Sequence, residues 1–316
     1  ELAFEKHGGI PVEPLNAMTA ARYAAPFVPP NTLVFGISAS GEVVRTREAL
    51  HACRRFGATT VAVTAFPESS IGSEADHILH SVFPRDSPGV ASYRGSLLVL
   101  YLLAIRFGEV RGRLSKDEGR SLRAALRATG DACDATFAAN RAKAAVLGEE
   151  YREVKIFNFI ADGPNTGTAM FGAAKVIEAA GKHGLWQDTE EWFHEQHFTV
   201  ADRDTPSFLI SPGYRGHGRM VELLVPALRI GRRVVAIVPE DDTDIAPQAA
   251  HVMLVTAGIP EVFTPMVYAV PLELFAAYVA QASGENPFRQ PYEGANAVYA
   301  KRGYIRTSKM VEDVEP

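Results

Sequence analysis

The sequence predicts an α/β protein: two tandem domains, each a parallel sheet covered by helices on both faces. Three observations predict it. Short apolar runs without polar alternation stand in strand–helix–strand order, a glycine closes the helical pattern between the first two, and the chain matches itself after a shift of 174 positions.

"LVFGI" (33–37) is the first strand, β-rich and unalternating, as a parallel strand buried on both faces should be. Val43, Leu50 and Cys53 then recur at helical spacing, and Gly57 stands where a left-handed residue ends a helix. "TVAVT" (60–64) is the second strand and completes a βαβ unit. Ser115 with Glu118 spells a capping box ahead of a long helical stretch reaching to about Leu147, which reads as the bridge between domains. "KIFNFIA" (155–161), "SFLIS" (207–211), "RVVAIV" (233–238) and "VMLV" (252–255) are further strands with helical segments between them. The expected layout is a first domain over 1–112, a second over 113–285 with leading helices, and a tail over 286–316 that contributes to the active site.

The 174-residue shift sets Gly57 on Gly231, Leu50 on Leu224, Val61-Ala62-Val63 on Val235-Ala236-Ile237 and His77-Ile78-Leu79 on His251-Val252-Met253, without a gap. Two copies of one βαβ unit are the simplest cause. The same shift sends the first-copy counterpart of "DGPNTGT" (162–168) ahead of Glu1, so a further strand and Gly/Ser turn are expected upstream.

A formal charge of −5 with scattered basic groups argues against nucleic acid as a partner. No run of about 20 apolar residues and no basic-then-apolar leader is read, so no membrane partner is expected. Cys53 and Cys133 lie in helical patterns and form neither a disulfide framework nor a metal motif, so they read as small core residues of a cytoplasmic protein.

The turn "GISASGEVVRT" (36–46) joins a strand to a helix, where free amides and the positive helix end attract anions. Ser38 and Ser40 add hydroxyls and Gly41 frees the backbone, which suits a tetrahedral oxyanion. A capped helix start, with Ser40 as N-cap and Glu42 in the first turn, is the equal alternative. Lys175 and Glu178, three apart on a helix, are either a surface ion pair or an acid–base pair. His194 and His197 have i, i+3 spacing rather than the i, i+4 of a zinc hydrolase helix, so no metal is expected. Trp186 and Trp192 read as packing residues.

"SPGYRGHG" (211–218), followed by a strand ending near Glu240, competes as a dinucleotide turn, which would make the protein a nicotinamide-dependent oxidoreductase. Its spacing is G-x-x-G-x-G rather than G-x-G-x-x-G. The repeat equates it with the 36–46 turn, so Arg215, His217 and Arg219 read as a diverged second copy.

"GISASGEVVRT" resembles the SxSGxT signature of the SIS (sugar isomerase) family. "IPVEPLNAMTAARY", "GPNTGTAMFGAAKVIEAAG" and "PMVYAVPLELFAAYVA" resemble further segments of that family in the same order, over nearly the whole chain. The resemblance implies two tandem flavodoxin-like or Rossmann-like SIS domains, a homodimer, and an anionic sugar as substrate. It implies that Ser38, Ser40 and the backbone at Ala39 and Gly41 hold the sugar's terminal anion, with Ser92 and Arg94 in the same subsite. Two departures stand out: Val43 replaces the family's usual Thr, and Tyr93-Arg94 follow "VAS" where Thr-Lys is common, so a sulfonate is carried beside a phosphate.

The resemblance further implies Glu178 as the proton-transferring base and Lys175 as a stabiliser of the open-chain oxygen. It implies Glu191 as a structural or catalytic partner, His194 as the ring-opening acid/base, and a tail lysine, Lys301 or Lys309, that reaches the sugar. Here His194-Glu195-Gln196 replaces the usual His-Gly-Pro. The expected activity is cofactor-free aldose–ketose isomerisation, with deglycation or deamination of an amino-sugar or fructosamine phosphate as the near alternative. Sensor proteins of the family carry one copy with a DNA-binding helical domain, whereas this chain has two copies and no basic recognition helix.

Overall fold

The computed structural model describes residues 1–83, 88–199, 204–286, 303–306 and 308–310. The chain divides into two compact units, Glu1–Arg120 with Ala297–Pro316, and Ser121–Asn296.

In the first unit, β1 (Leu33–Ile37), β2 (Thr59–Thr64) and β3 (His77–His80) form an all-parallel sheet in the order β1-β2-β3. Helix α1 (Val44–Arg55) lays Leu50 on Ala62 and Ile71, while Ala52 and Cys53 meet Ala25 and Ala58. Gly57 ends the helix at φ +92°, a left-handed conformation that costs residues with a Cβ about 1 kcal/mol or more. Helix α2 (Ser70–Glu74) is tied at its start to the turn before α1 and at its end to α1 itself. The Glu42 carboxylate accepts Ser70 N–H (3.0 Å) and Oγ–H (2.6 Å), and Glu74 accepts Arg47 Nε (2.6 Å) and pairs with His51 Nε2 (2.8 Å). Helix α3 (Pro88–Val110) receives Phe4, whose ring lies 5.8 Å from that of Phe107 and 6.0 Å from that of Phe35. The capping box forms as read: Glu118 N–H donates to Ser115 Oγ (3.2 Å), Ser115 N–H donates to Glu118 Oε2 (2.8 Å), and α4 runs over Lys116–Glu150.

In the second unit, β4 (Ile156–Ala161), β5 (His183–Gln187), β6 (Pro206–Ile210), β7 (Arg233–Pro239) and β8 (His251–Val255) form a parallel sheet in the order β5-β4-β6-β7-β8. Its helices are α5 (Thr166–Ala180), α6 (Thr189–His194), α7 (His217–Arg229) and α8 (Thr264–Ala282). Alternate residues of each strand serve opposite faces. Phe157 and Phe208 reach Phe275 of α8, with ring centroids 5.3 and 4.6 Å away. On the other face Ile160, Leu209, Val234 and Ala236 pack with Trp192 of α6 and Met220, Leu223 and Leu224 of α7. Burial of both faces is why β4, β6 and β7 show no polar alternation, whereas β1, expected to be buried on both faces, has Leu33 and Ile37 exposed. Trp192 and both cysteines are buried as expected, whereas Trp186, on edge strand β5, is 43% exposed. Strand β5 itself was not anticipated, because a short, half-exposed edge strand containing Gly184 carries little apolar signal.

One expectation is corrected by α8. The segment Glu261–Ala282 is long and apolar enough to cross a membrane by length and composition, and 83% of its apolar window is buried inside the fold. An all-round apolar helix in this position is a core helix.

The repeat holds without a gap from Gly57 to the third strand of each copy and shifts by one residue only in the first strand. Strand pairs Val61↔His77 and Val235↔His251 keep the 174 offset, but Leu33 pairs with Thr59 while Pro206 pairs with Arg233, an offset of 173 for the first strand. The second copy therefore holds one extra residue between β6 and β7, and α7 has 13 residues against 12 in α1. Ser38 corresponds to Ser211: their amides donate to Val63 O and Ile237 O, both at 3.0 Å. Among the described residues of the first unit, β4 and β5 have no counterpart, and β1 is an outer strand with Leu33 and Ile37 exposed.

Candidate functional site

The Ser38–Gly41 turn leaves the carboxyl end of β1. Gly41, at φ +69°, donates its N–H back to Ser38 O and Ser38 Oγ, both at 3.1 Å, and Ser40 Oγ accepts Glu42 N–H at 3.3 Å. Ala39 O accepts Ala65 N–H at 3.1 Å, which ties the turn to the end of β2. The Gly41 amide is thus spent inside the turn, while the Ala39 and Ser40 amides have no acceptor among the described residues. Helix α1 begins at Val44 with Val43 as its N-cap, and no side chain caps it. This overturns the capped-start alternative: Ser40 is not the N-cap, and Glu42 is turned away onto Ser70. Uncapped first-turn amides, two open turn amides and two small hydroxyls are a donor set of the kind that can hydrogen-bond an oxyanion. The Ser70 contacts also hold the Glu42 carboxyl below its ordinary range.

The carboxyl-terminal segment lies against the same corner. Arg45 Nη2 donates to Ser308 Oγ (2.9 Å) and to Lys309 O, and Arg306 of α9 (Gly303–Arg306) acts on Glu42 through space. Lys309 is therefore beside the cradle's helix, while Lys301 lies outside the described residues. Ser92 and Arg94 are half-buried near the start of α3. The next residue, Gly95, approaches the end of β3 so closely that a Cβ there would lie 3.3 Å from Ser81 Oγ.

In the second unit, Lys175 Nζ pairs directly with Glu178 Oε2 on α5. Lys175 is 13% exposed, its ammonium 5.2 Å from the Phe171 ring centroid, and Glu178 is 41% exposed. Helix α6 is fixed at its start: Asp188 accepts Glu191 N–H (2.8 Å), and Asp162, at the end of β4, accepts Thr189 N–H (3.1 Å) and Oγ–H (2.9 Å). Burial raises the Asp162 carboxyl. At its far end, His194 Nε2 lies 3.4 Å from Glu190 Oε1, and Glu191 is exposed on the same helix. The His197 ring lies 3.9 Å from that of Phe198, tilted by 37°. Among the described residues no group of three or more His, Cys, Asp or Glu could hold a metal.

The second-copy turn is chemically unlike the first. His217, at the start of α7, bridges Ser211 Oγ (2.9 Å) and Asp244 Oδ2 (2.9 Å), so a side chain lies where the first copy offers open donors. Arg45, Glu190 and Asp162 escaped sequence reading, and Arg219 was read only as part of a diverged second-copy turn. Only Asp162 carried a signal, as the polar residue directly after a buried strand and before a Gly turn.

The sequence profile of the SIS domain family matches residues 1–106 and 151–282. The chain is 28% identical over 268 residues to the glutamine–fructose-6-phosphate aminotransferase (isomerizing) of Thermus thermophilus, covering 84% of this chain and 44% of that protein. It is 29% identical over 314 residues to the protein of the same name from Streptomyces coelicolor, covering 94% and 48%. The chain thus spans about half the length of these curated relatives.

Among solved structures, the C-terminal domain of glucosamine-fructose-6-phosphate aminotransferase from Francisella tularensis superposes with a TM-score of 0.79 at 20% identity, covering 92% of this chain and 81% of that one. Tagatose-6-phosphate ketose/aldose isomerase from Escherichia coli gives 0.73 at 15% identity, covering 92% and 81%. Glucosamine-6-phosphate deaminase from Thermotoga maritima gives 0.63 at 16% identity, covering 92% and 83%. At these identities the likeness is one of fold.

Proposed function

Because the chain belongs to the SIS domain family, we propose that it interconverts an aldose and a ketose bearing a terminal phosphate or sulfonate. The observation that carries this reading is the uncapped start of α1 behind the open amides of Ala39 and Ser40 and the hydroxyls of Ser38 and Ser40. Such a corner binds a tetrahedral oxyanion through fixed N–H groups that are already oriented. Ser92 and Arg94 add donors to the same anion.

The second unit supplies the proton chemistry. Glu178, as carboxylate, removes the proton from one of the two carbons C1 and C2 of the open chain and returns it to the other. Lys175, held against Glu178, donates to the oxygen that carries charge in the enediolate. His194 moves the proton that opens the ring, with Glu190 orienting it and Glu191 on the same short helix. Lys309 meets the open-chain sugar from the tail. The active form on this reading is a cytoplasmic homodimer.

Val43 supplies no hydroxyl where the family usually has Thr, which favours the singly charged sulfonate as much as a phosphate. Deamination of an amino-sugar phosphate would use the same groups and release ammonia. Incubation of 6-phospho, 6-sulfo and 6-phospho-2-amino hexoses in D2O, followed by NMR, separates these cases. The expected result is deuterium at C2 with new ketose signals and no ammonia; absence of exchange and of product with all three overturns the proposal.

A further inference from the structure

We propose that Arg45 is a positioning residue that docks the carboxyl-terminal segment Ser308–Met310 onto the start of α1 and so presents Lys309 to the anionic sugar held by the Ser38–Gly41 turn. The role given to Lys309 rests on the functional reading above; the docking rests on geometry alone.

Glu48, one turn along α1, has a side chain only 1% exposed, and its two oxygens are occupied by Arg22 Nε (2.8 Å) and Arg45 Nη1. A desolvated carboxylate gripped by two guanidinium groups leaves neither free to swing. Arg45 is thereby fixed with its second terminal nitrogen, Nη2, facing outward, where it donates to Ser308 Oγ at 2.9 Å and to the backbone carbonyl of Lys309. The grip on Lys309 is through the main chain, so the ammonium is not consumed by docking. Arg306 adds an attraction to Glu42, the residue directly after Gly41. The Arg45 contacts, with that through-space attraction, thus align the tail with the cradle's corner.

A planar guanidinium can span a carboxylate on one side and a carbonyl on the other, whereas a compact ammonium cannot do both. Arg45→Lys therefore keeps a cation on the buried Glu48 but releases the tail, and it is the informative substitution. Arg45→Ala leaves Glu48 with Arg22 alone and serves as a control for folding.

The experiment measures tryptic cleavage after Lys309 by mass spectrometry, thermal unfolding, and kcat and KM with fructose 6-phosphate and with a 6-sulfo hexose. For Arg45→Lys the expected result is native-like unfolding and cleavage faster by about tenfold or more, as loss of the charge-assisted contacts to Ser308 and Lys309 implies. With the sugar that is turned over, kcat falls with KM little changed, as for Lys309→Ala, and the double variant loses no more than Lys309→Ala. Native cleavage rates in Arg45→Lys overturn the docking. Faster cleavage with unchanged kcat, or additive losses in the double variant, overturn the link to Lys309. If the native protein turns over neither sugar, the functional reading falls and with it the part given to Lys309, while the cleavage rates by themselves uphold or overturn the docking.

Discussion

Arg219 and Glu190 are joined at two points: Arg219 Nε and Nη2 lie 2.9 and 2.7 Å from Glu190 Oε2, while Glu190 Oε1 is 3.4 Å from His194 Nε2. The guanidinium also lies 4.0 Å from the ring centroid of Phe193. Helix α7 thus holds the end of α6, and with it the histidine assigned to ring opening. An exposed pair of this kind is worth little to stability, under about 1 kcal/mol.

Arg219→Ala should therefore separate activity from stability. We expect kcat to fall about tenfold or more, because a misplaced acid/base loses much of its effect. The unfolding free energy should change by less than about 1 kcal/mol. Steady-state kinetics beside urea unfolding checks this, and an unchanged kcat removes Arg219 and Glu190 from the site.

Gly41 tests the cradle. A Cβ there would lie 1.8 Å from Ser69 Oγ, and the residue sits at φ +69°, so Gly41→Ala meets both a clash and an unfavourable backbone. The expected loss is about 2–3 kcal/mol of stability. Removing the opposing side chain, in Gly41→Ala with Ser69→Gly, should restore part of it. Protection by inorganic phosphate against thermal unfolding should be lost in the single variant and is read in the same scan.

Glu178→Gln keeps shape and removes the base. Deuterium exchange at C2 should fall by about two to four orders of magnitude. Phosphate protection should persist, since Glu178 is not among the residues proposed to hold the anion. Full exchange in this variant would refute the assignment.

Acid stability reports on Glu42. Its carboxyl titrates below the ordinary value of 4.5, first because Ser70 donates a side-chain hydrogen bond to it and then because the Ser70 amide does. A depressed carboxyl contributes stability that is present above the unfolded value and is lost as pH falls through the folded one. Between about pH 5 and about pH 3 the native chain should lose more stability than Glu42→Gln does. Thermal unfolding of both across that range measures the difference; parallel curves would mean that the Ser70 contacts do not hold the charge.

By itself the sequence determined what is local. Unalternating runs marked the central strands, Gly57 and Gly231 ended equivalent helices at φ +92° and +90°, and Ser115 with Glu118 started α4, because backbone sterics and capping act within a few residues. The same locality made the Ser38–Gly41 turn legible as a corner but left it open between anion cradle and capped helix. Only the tertiary structure decided that. It turned Glu42 onto Ser70, left α1 without a cap, and placed a one-residue shift and the His217 bridge in the second copy.

It also brought Lys309 to Arg45 across 264 positions and anchored Arg45 on a buried Glu48. Contacts of that separation depend on which faces the packed core forces together, and no periodicity along the chain encodes them.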